Sequence, residues 1–400
     1  YDISECLVGS EMCIRDSQNT MEKKNLRIVF MGTPEFAVGS LQRLVENGYN
    51  VVAVVTQPDK PVGRHASVLR PSPVKEYALA HGLPVLQPLK MKDEHFLDEL
   101  RSYHADLQVV VAFRMLPEVV WAMPRFGTFN VHAALLPDYR GAAPINWAVI
   151  NGETLTGVTT FFLDHDIDTG RIIAQRQFPI PDDADVEYVY DGLMQLGAQL
   201  CTDTVDLVLS TDGNAPSQPQ QQSDAHHAAP KIFKETCAID FSLPAKRIYD
   251  FVRGLSPAPG AWCLLTPRDA NAPAQVLKIY KTAKTHESSA GGALVSSAPD
   301  HKAAGGALVS SAPDYKAANT GESTAGGALV SSAPDHKAAN THDQPTSVEV
   351  GTLKAENRRL FVATVDEWLE IVELQPAGKK RMAARDYLNG FQHPEHFLLK

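Results

Sequence analysis

No apolar run in this 400-residue sequence is long enough to span a bilayer, and the first twenty residues hold no apolar core of signal-peptide length. Cysteine is scarce. Cys6, Cys13, Cys201, Cys237 and Cys263 are the whole complement, without a Cys-x-x-Cys pair or a zinc-like grouping with histidine. This argues against a disulfide scaffold and against a metal site, and it fits a reducing cytosol, so a cytoplasmic protein without metal is expected. An excess of positive charge is also missing. The formal net charge is −10, and phosphate contacts come from lysine and arginine, so binding to nucleic acid has to be local. Basic residues do gather in two places, Lys60, Arg64, Arg70 and Lys75, and again Lys379, Lys380, Arg381 and Arg385.

What is present suffices for sizeable cores, since 44% of the residues are hydrophobic and the length suits two domains, or a domain and a half. Residues 26–30 read as a short apolar strand. Gly32 follows, then Thr33 as N-cap, Pro34 at the first helical position and Glu35 in the first turn, with a helix running towards Asn47 and stopped by Gly48. Residues 51–55 form the next strand, which gives a βαβ opening. Only one glycine stands where the dinucleotide fingerprint needs three, so NAD is not expected. Further strands at residues 107–112 and 128–131, with helices between, predict a Rossmann-like, doubly wound, mostly parallel sheet. Ligands bind such sheets beyond the carboxyl ends of the strands, where Phe113, Asn130 and His132 fall.

Asn130 and His132 are two residues apart on a strand and leave the same face. Asp168 sits in a turn-like Asp-Thr-Gly just beyond residues 157–163, which read as a neighbouring strand. A carboxylate there orients and charge-stabilises the imidazole, while the amide and the imidazole donate to an oxygen that turns negative as a carbonyl is attacked. That is acyl-transfer chemistry without a serine or cysteine nucleophile. Taken singly, each residue has an ordinary structural explanation, a satisfied histidine or a turn aspartate. Between them lie Leu135-Leu136-Pro137 and Arg140-Gly141-Ala142-Ala143-Pro144.

The whole segment resembles the formyltransferases that use 10-formyltetrahydrofolate, with their Asn-x-His, Ser-Leu-Leu-Pro, Arg-Gly and downstream Asp-x-Gly. The resemblance implies Asn130, His132 and Asp168 as catalytic residues. It also implies a folate site along Phe113, Arg114 and Leu116 and along Ala134, Leu135, Leu136 and Pro137. Ala134 stands where the family has serine. How proton transfer divides between His132 and Asp168 is left open.

After residue 55, proline and glycine predict about 15 residues of irregular loop, through Gln57-Pro58-Asp59, Gly63-Arg64 and Ser72-Pro73-Val74-Lys75, which is long for a βα connection. The loop resembles that of the family branch that acts on initiator methionyl-tRNA, in which it grips the acceptor end, and Arg64 matches the key arginine. Lys60, Arg70 and Lys75 are the other expected tRNA contacts there. Near the end, Leu374-Gln375-Pro376-Ala377-Gly378-Lys379-Lys380-Arg381-Met382 resembles the closing motif of the same branch, implying Lys379, Lys380 and Arg381 as contacts. A sugar-nucleotide or glycinamide-ribonucleotide acceptor is the alternative.

Residues 1–20 are expected to be a non-native leader before Met21, residues 21–210 a catalytic domain closed by a helix at 186–209, and residues 211–231 a linker. Residues 232–400 follow as an OB-like barrel. In it, residues 239–241 and 248–255 precede Pro257, Pro259, Gly260 and Trp262, and short strands are expected at 276–279, 348–350, 360–363 and 369–374. A repeat, GGALVSSAPD at Gly291, Gly305 and Gly326, interrupts it. One Leu-Val pair per copy is too little for a solenoid, so a disordered insertion at about 286–346 is expected. A monomer is expected.

Overall fold

The first strand, β1 (Arg27–Gly32), divides its buried side chains between two cores, Ile28 and Phe30 in one and Val29 and Met31 in the other. A strand buried on both faces lies between two layers. α1 (Glu35–Glu46), β2 (Asn50–Val55), β3 (Lys60–Val62), β4 (Val68–Arg70), α2 (Pro73–Ala80), β5 (Val85–Leu86), α3 (Glu94–Ser102), β6 (Leu107–Val111), α4 (Glu118–Trp121) and β7 (Thr128–His132) follow. β8 (Arg140–Gly141), α5 (Pro144–Ile150), β9 (Leu155–Phe162), β10 (Ile172–Pro179) and α6 (Val186–Ser210) complete this unit in the computed structural model. The structure describes residues 22–62, 68–221, 226–269, 272–289 and 348–400. The expected leader, Arg64 and the GGALVSSAPD repeats lie outside them.

Seven strands make one sheet in the order β10-β9-β7-β6-β1-β2-β5. The pairings from β7 to β5 are parallel, and β9 and β10 are antiparallel. Side chains of α1, α2, α5 and α6 cover one face, and those of α3 and α4 cover the other. The mostly parallel, doubly wound sheet is therefore as the sequence predicted.

β11 (Ala228–Ala229) leads to α7 (Ala245–Gly254), β12 (Ala261–Pro267), β13 (Gln275–Ser288), β14 (Leu353–Glu356), β15 (Arg359–Ala363), β16 (Glu367–Pro376), β17 (Met382–Ala383), α8 (Ala384–Tyr387) and β18 (Phe397–Leu399). The second sheet runs β14-β15-β16-β13-β12-β18, antiparallel throughout. Its two edges meet where Thr352 bridges Leu398 and the Leu399 N–H donates to the Gly351 carbonyl at 2.9 Å. The result is the expected small barrel, nearly closed. The two units share packing: Ile150 of α5 belongs to the barrel core, Asn146 Nδ2 donates to the Gly254 carbonyl at 2.9 Å, and a Cβ on Gly254 would lie 2.6 Å from Ile150.

Several local expectations are corrected. Pro34, in extended conformation, takes the N-cap position of α1, while the Thr33 hydroxyl is buried without a partner. The expected irregular loop carries a β3–β4 hairpin, which tolerates Pro61 because a two-stranded ribbon leaves an unpaired edge. Its end is helical, since Ser72 caps α2 by accepting from the Lys75 N–H at 3.1 Å and Pro73 takes the first position. Residues 348–350 are not a strand; Gly351, at φ 84, turns the chain and β14 starts at Leu353. β13 continues to Ser288, so the insertion begins after residue 286. Among the described residues no helix is long and apolar enough to cross a membrane.

Candidate active site

Strand order reverses between β1 and β6, because the chain first builds outward through β2 and β5 and then returns on the other side of β1. Such a reversal opens a crevice beyond the carboxyl ends of the strands. A cavity of about 880 Å³ lies there, lined by Pro34 and Phe36 after β1, Gln57 after β2, Ala112 and Phe113 after β6, and Asn130 and His132 of β7. On β7, Phe129 and Val131 point into the core under α6, which leaves Asn130 and His132 together on the opposite face.

The His132 ring is 6% exposed and stands edge-on to Phe161. Its Nε2 is 2.9 Å from the Tyr139 carbonyl, which can only accept, so the proton of the neutral ring belongs on Nε2. Nδ1 is thereby a free base. It lies 4.0 Å from Asp168 Oδ2, too far for a direct hydrogen bond but close enough for the carboxylate to stabilise an imidazolium. Asp168 has a left-handed backbone, φ 54, and its Oδ2 accepts from the Gly141 N–H at 3.0 Å. Asn130 also faces the cavity, and its buried Oδ1 has no partner. An unsatisfied buried acceptor costs about 1–3 kcal/mol, so this oxygen suits a ligand that carries a hydrogen-bond donor.

The loop carrying the Tyr139 carbonyl is anchored by its own side chain. Tyr139 Oη donates to Glu153 at 2.6 Å, and burial together with that carboxylate pushes its pKa above the ordinary value, so it stays neutral. The site thus combines a base, a carboxylate beside it and an amide around one concave surface. This suits attack on a carbonyl by a nucleophile that must lose a proton.

Phe113, Arg114 and Leu116 line the cavity, as does Asp168. Arg114 donates to the carbonyls of Leu89 and Pro88 and lies 5.7 Å from the Phe113 ring, fixing that wall. Ala134, Leu135, Leu136 and Pro137 were expected beside them and are not among the lining residues. Ala134 and Leu136 are buried, and their backbone is taken up by the Thr159 hydroxyl and Gln175. This stretch shapes the site from behind, and a serine hydroxyl in place of Ala134 would start from a fully buried position. Of the basic residues, Lys60, Arg70, Lys379 and Lys380 are exposed. Lys75 is held by Asp59 at 2.7 Å, and Arg381 pairs with Glu373 at 2.5 Å over the Tyr280 ring. Among the described residues one group has metal-ligand chemistry, His393, Glu395 and His396 within 4.8 Å, all exposed and none lining the cavity.

Residues 26–205 match the formyl transferase family, and residues 231–311 and 328–392 match the formyl transferase C-terminal domain. The methionyl-tRNA formyltransferase of Parabacteroides distasonis is 52% identical over 93% of this chain and 98% of its own length. That of Bacteroides fragilis is 60% identical over 66% of this chain and 81% of its own. The chain belongs to the methionyl-tRNA formyltransferase family. The fold of this family member extends further. HypX from Aquifex aeolicus, solved with tetrahydrofolic acid, superposes with a TM-score of 0.51 at 15% identity, over 92% of this chain and 47% of that one. The sugar 3N-formyl transferase WlaRD gives 0.52 at 16%, over 89% and 99%.

For a methionyl-tRNA formyltransferase family chain, the sequence pattern missed several cavity residues: Ala112, at φ 47, Ala143, Asn146, Tyr190 and Lys231. Ala143 belongs to the Arg140 to Pro144 stretch, while the others, small or distant in sequence, have no role in that pattern. Lys231, at the end of the expected linker, is the informative one, since it lines the cavity although its ammonium lies 5.4 Å from the Phe233 ring centroid. The linker is not a free tether, since β11 pairs in parallel with β8.

Proposed function

We propose that this chain transfers the formyl group of 10-formyltetrahydrofolate to the amino group of initiator methionyl-tRNA, releasing tetrahydrofolate. The observation that carries the reading is 52% identity to a methionyl-tRNA formyltransferase over 93% of a chain whose Asn130, His132 and Asp168 face one cavity. The formyl donor lies against Phe113, Arg114 and Leu116. The methionyl amine attacks the formyl carbon; His132 Nδ1 takes the amine proton, Asp168 stabilises the imidazolium, and Asn130 donates to the developing oxyanion. The carbon–nitrogen bond to the folate then breaks and its nitrogen recovers a proton. Each group acts on charge that is present only in the transition state, which is where binding energy raises the rate.

The exposed Lys60, Arg70, Lys379 and Lys380, with Arg64, are assigned to tRNA phosphates, while Lys75 is the weakest of the expected contacts because Asp59 already holds it. The enzyme works in the cytoplasm as a monomer and needs neither metal nor NAD. The test is formylation by the purified chain of methionyl-tRNA, a sugar nucleotide amine and glycinamide ribonucleotide in parallel. Turnover of the tRNA alone is expected, and Arg64→Ala should lower the salt slope of that reaction by about one unit. Preferential formylation of either small amine refutes the assignment.

A further inference from the structure

The segment joining the two units passes beside the catalytic loops and makes contacts that a tether would not need. Gln220 Nε2 donates to the Asp168 carbonyl at 2.9 Å and to the Gly170 carbonyl at 2.8 Å. Its Oε1 accepts from Arg140 Nη2 at 2.6 Å and Nε at 3.2 Å. Two carbonyls on one side and a guanidinium on the other fix the orientation of this amide, because the reversed arrangement would face oxygen with oxygen and donor with donor. All four of its hydrogen-bonding valences are used, and every one goes to the two loops that meet at His132 and Asp168.

A few residues on, the same segment holds the other side. The Tyr139 N–H donates to the His227 carbonyl at 2.6 Å, and the Ala142 N–H to the Ala229 carbonyl at 2.8 Å. The Tyr139 carbonyl is the group that sets the His132 tautomer, and the Gly141 N–H is the donor to Asp168. The spacing between base and carboxylate therefore depends on peptides that Gln220, His227 and Ala229 hold from outside the catalytic unit.

We infer that Gln220 is a positioning residue for the formyl-transfer site, holding Asp168 in its left-handed turn and tying it to Arg140 so that the carboxylate faces His132 Nδ1. Gln220 does not line the cavity, so it acts only through Asp168 and Arg140. The inference rests on the proposed catalytic role of Asp168.

The experiment compares Gln220→Ala, Gln220→Glu, Asp168→Ala and Gln221→Ala, an exposed neighbour, in steady-state formylation of methionyl-tRNA with thermal unfolding and folate binding alongside. Gln220→Glu keeps an oxygen for Arg140 but loses both N–H donors, so it tests the Asp168 arm without shortening the side chain. Gln220→Ala and Gln220→Glu are expected to lower kcat by about tenfold to about 10²-fold, the scale of a small displacement of a catalytic group. Both KM values should stay within about twofold. The pH profile of kcat should move towards that of Asp168→Ala, and Gln221→Ala should match the parent. An unchanged kcat in folded Gln220→Ala or Gln220→Glu, with Asp168→Ala inactive, overturns the inference. So does a loss accounted for by a smaller folded fraction, or by KM and kcat moving together. Should Gln220→Ala not fold, Gln220→Glu decides by the same criteria. An active Asp168→Ala overturns instead the proposed catalytic set.

Discussion

Gly141 gives the sharpest test of how closely the connecting segment and the catalytic loop are fitted. Its φ of 128 belongs to a region that only glycine enters readily, and a Cβ there would sit 2.4 Å from the Ala229 carbonyl oxygen and 2.9 Å from its carbon. In Gly141→Ala the two backbones must part until that contact exceeds about 3.0 Å, and neither side is a flexible side chain that can swing away. The strained conformation costs about 1–3 kcal/mol, so a drop of a few degrees in Tm is expected. The catalytic cost arises because the Gly141 N–H is the donor to Asp168 Oδ2 at 3.0 Å. A hydrogen bond to a charged group is worth about 1.5–3 kcal/mol, and about 1.4 kcal/mol is tenfold in rate, so kcat should fall by about tenfold to about 150-fold. Gly48→Ala is the control: it also has positive φ, 75, but nothing lies within 4 Å, so it should lower Tm without touching kcat. Single-turnover formylation and thermal unfolding of both variants decide the matter. Parental kcat in Gly141→Ala would refute the link from β11 through Gly141 to Asp168.

Alanine at Asn130, His132 or Asp168 should each lower kcat by about 10²- to 10³-fold with the far-ultraviolet circular dichroism unchanged, and near-parental turnover in a folded His132→Ala would remove the base from the mechanism. Burial raises the Asp366 carboxyl pKa, but the N–H groups of Ala245 and Glu367 and the Thr364 hydroxyl outweigh it and hold the group below its ordinary 3.8. Its stabilising contribution is then complete above pH 3.8 and fades as pH falls through the lower folded value, so Asp366→Asn should unfold at less urea than the parent at pH 7, with the gap narrowing below pH 4; a constant gap counts against it. Replacing residues 290–347 by a short Gly-Ser linker should leave Tm and formylation nearly unchanged, because loop closure depends only logarithmically on length, and a collapse of either would show that the repeats contribute to the fold.

The sheet was legible because β1, β2, β6 and β7 are short apolar runs, and the site was legible because Asn130 and His132 share a strand face by simple alternation. Less visible were features created by contact between distant segments. The β3–β4 hairpin hid behind Pro61, whose missing N–H is harmless on a two-stranded ribbon. β12 escaped because it follows directly on Pro257, Pro259 and Gly260, although Ala261, Cys263 and Leu265 alternate inward. Residues 211–231 read as a tether by composition, since glutamine, serine and proline signal exposure, whereas Gln220 uses its amide on carbonyls supplied by a turn some fifty residues earlier. Only the fold reveals that partnership. The motif at Ala134 to Pro137 implies a folate wall, and the structure adds that the Ala134 carbonyl and both backbone groups of Leu136 are taken up by Thr159 and Gln175 on the neighbouring antiparallel strands.

Ile150 has a consequence for how the molecule comes apart. It closes a helix of the catalytic unit, yet it is counted among the buried residues of the barrel, with Gly254 pressed against it too closely to admit even a methyl group. Melting the barrel alone would strip Ile150 of its neighbours, and melting the catalytic unit alone would leave a hole in the barrel. Coupled unfolding of the two units is the expected outcome of this shared packing, checked by calorimetry: one transition with matching calorimetric and van't Hoff enthalpies supports it, and two separate transitions refute it. α5 itself begins at Pro144, directly after the Gly141 to Ala143 peptides, so one seven-residue helix has the barrel core at its last residue and, just before its first, the backbone that donates to Asp168.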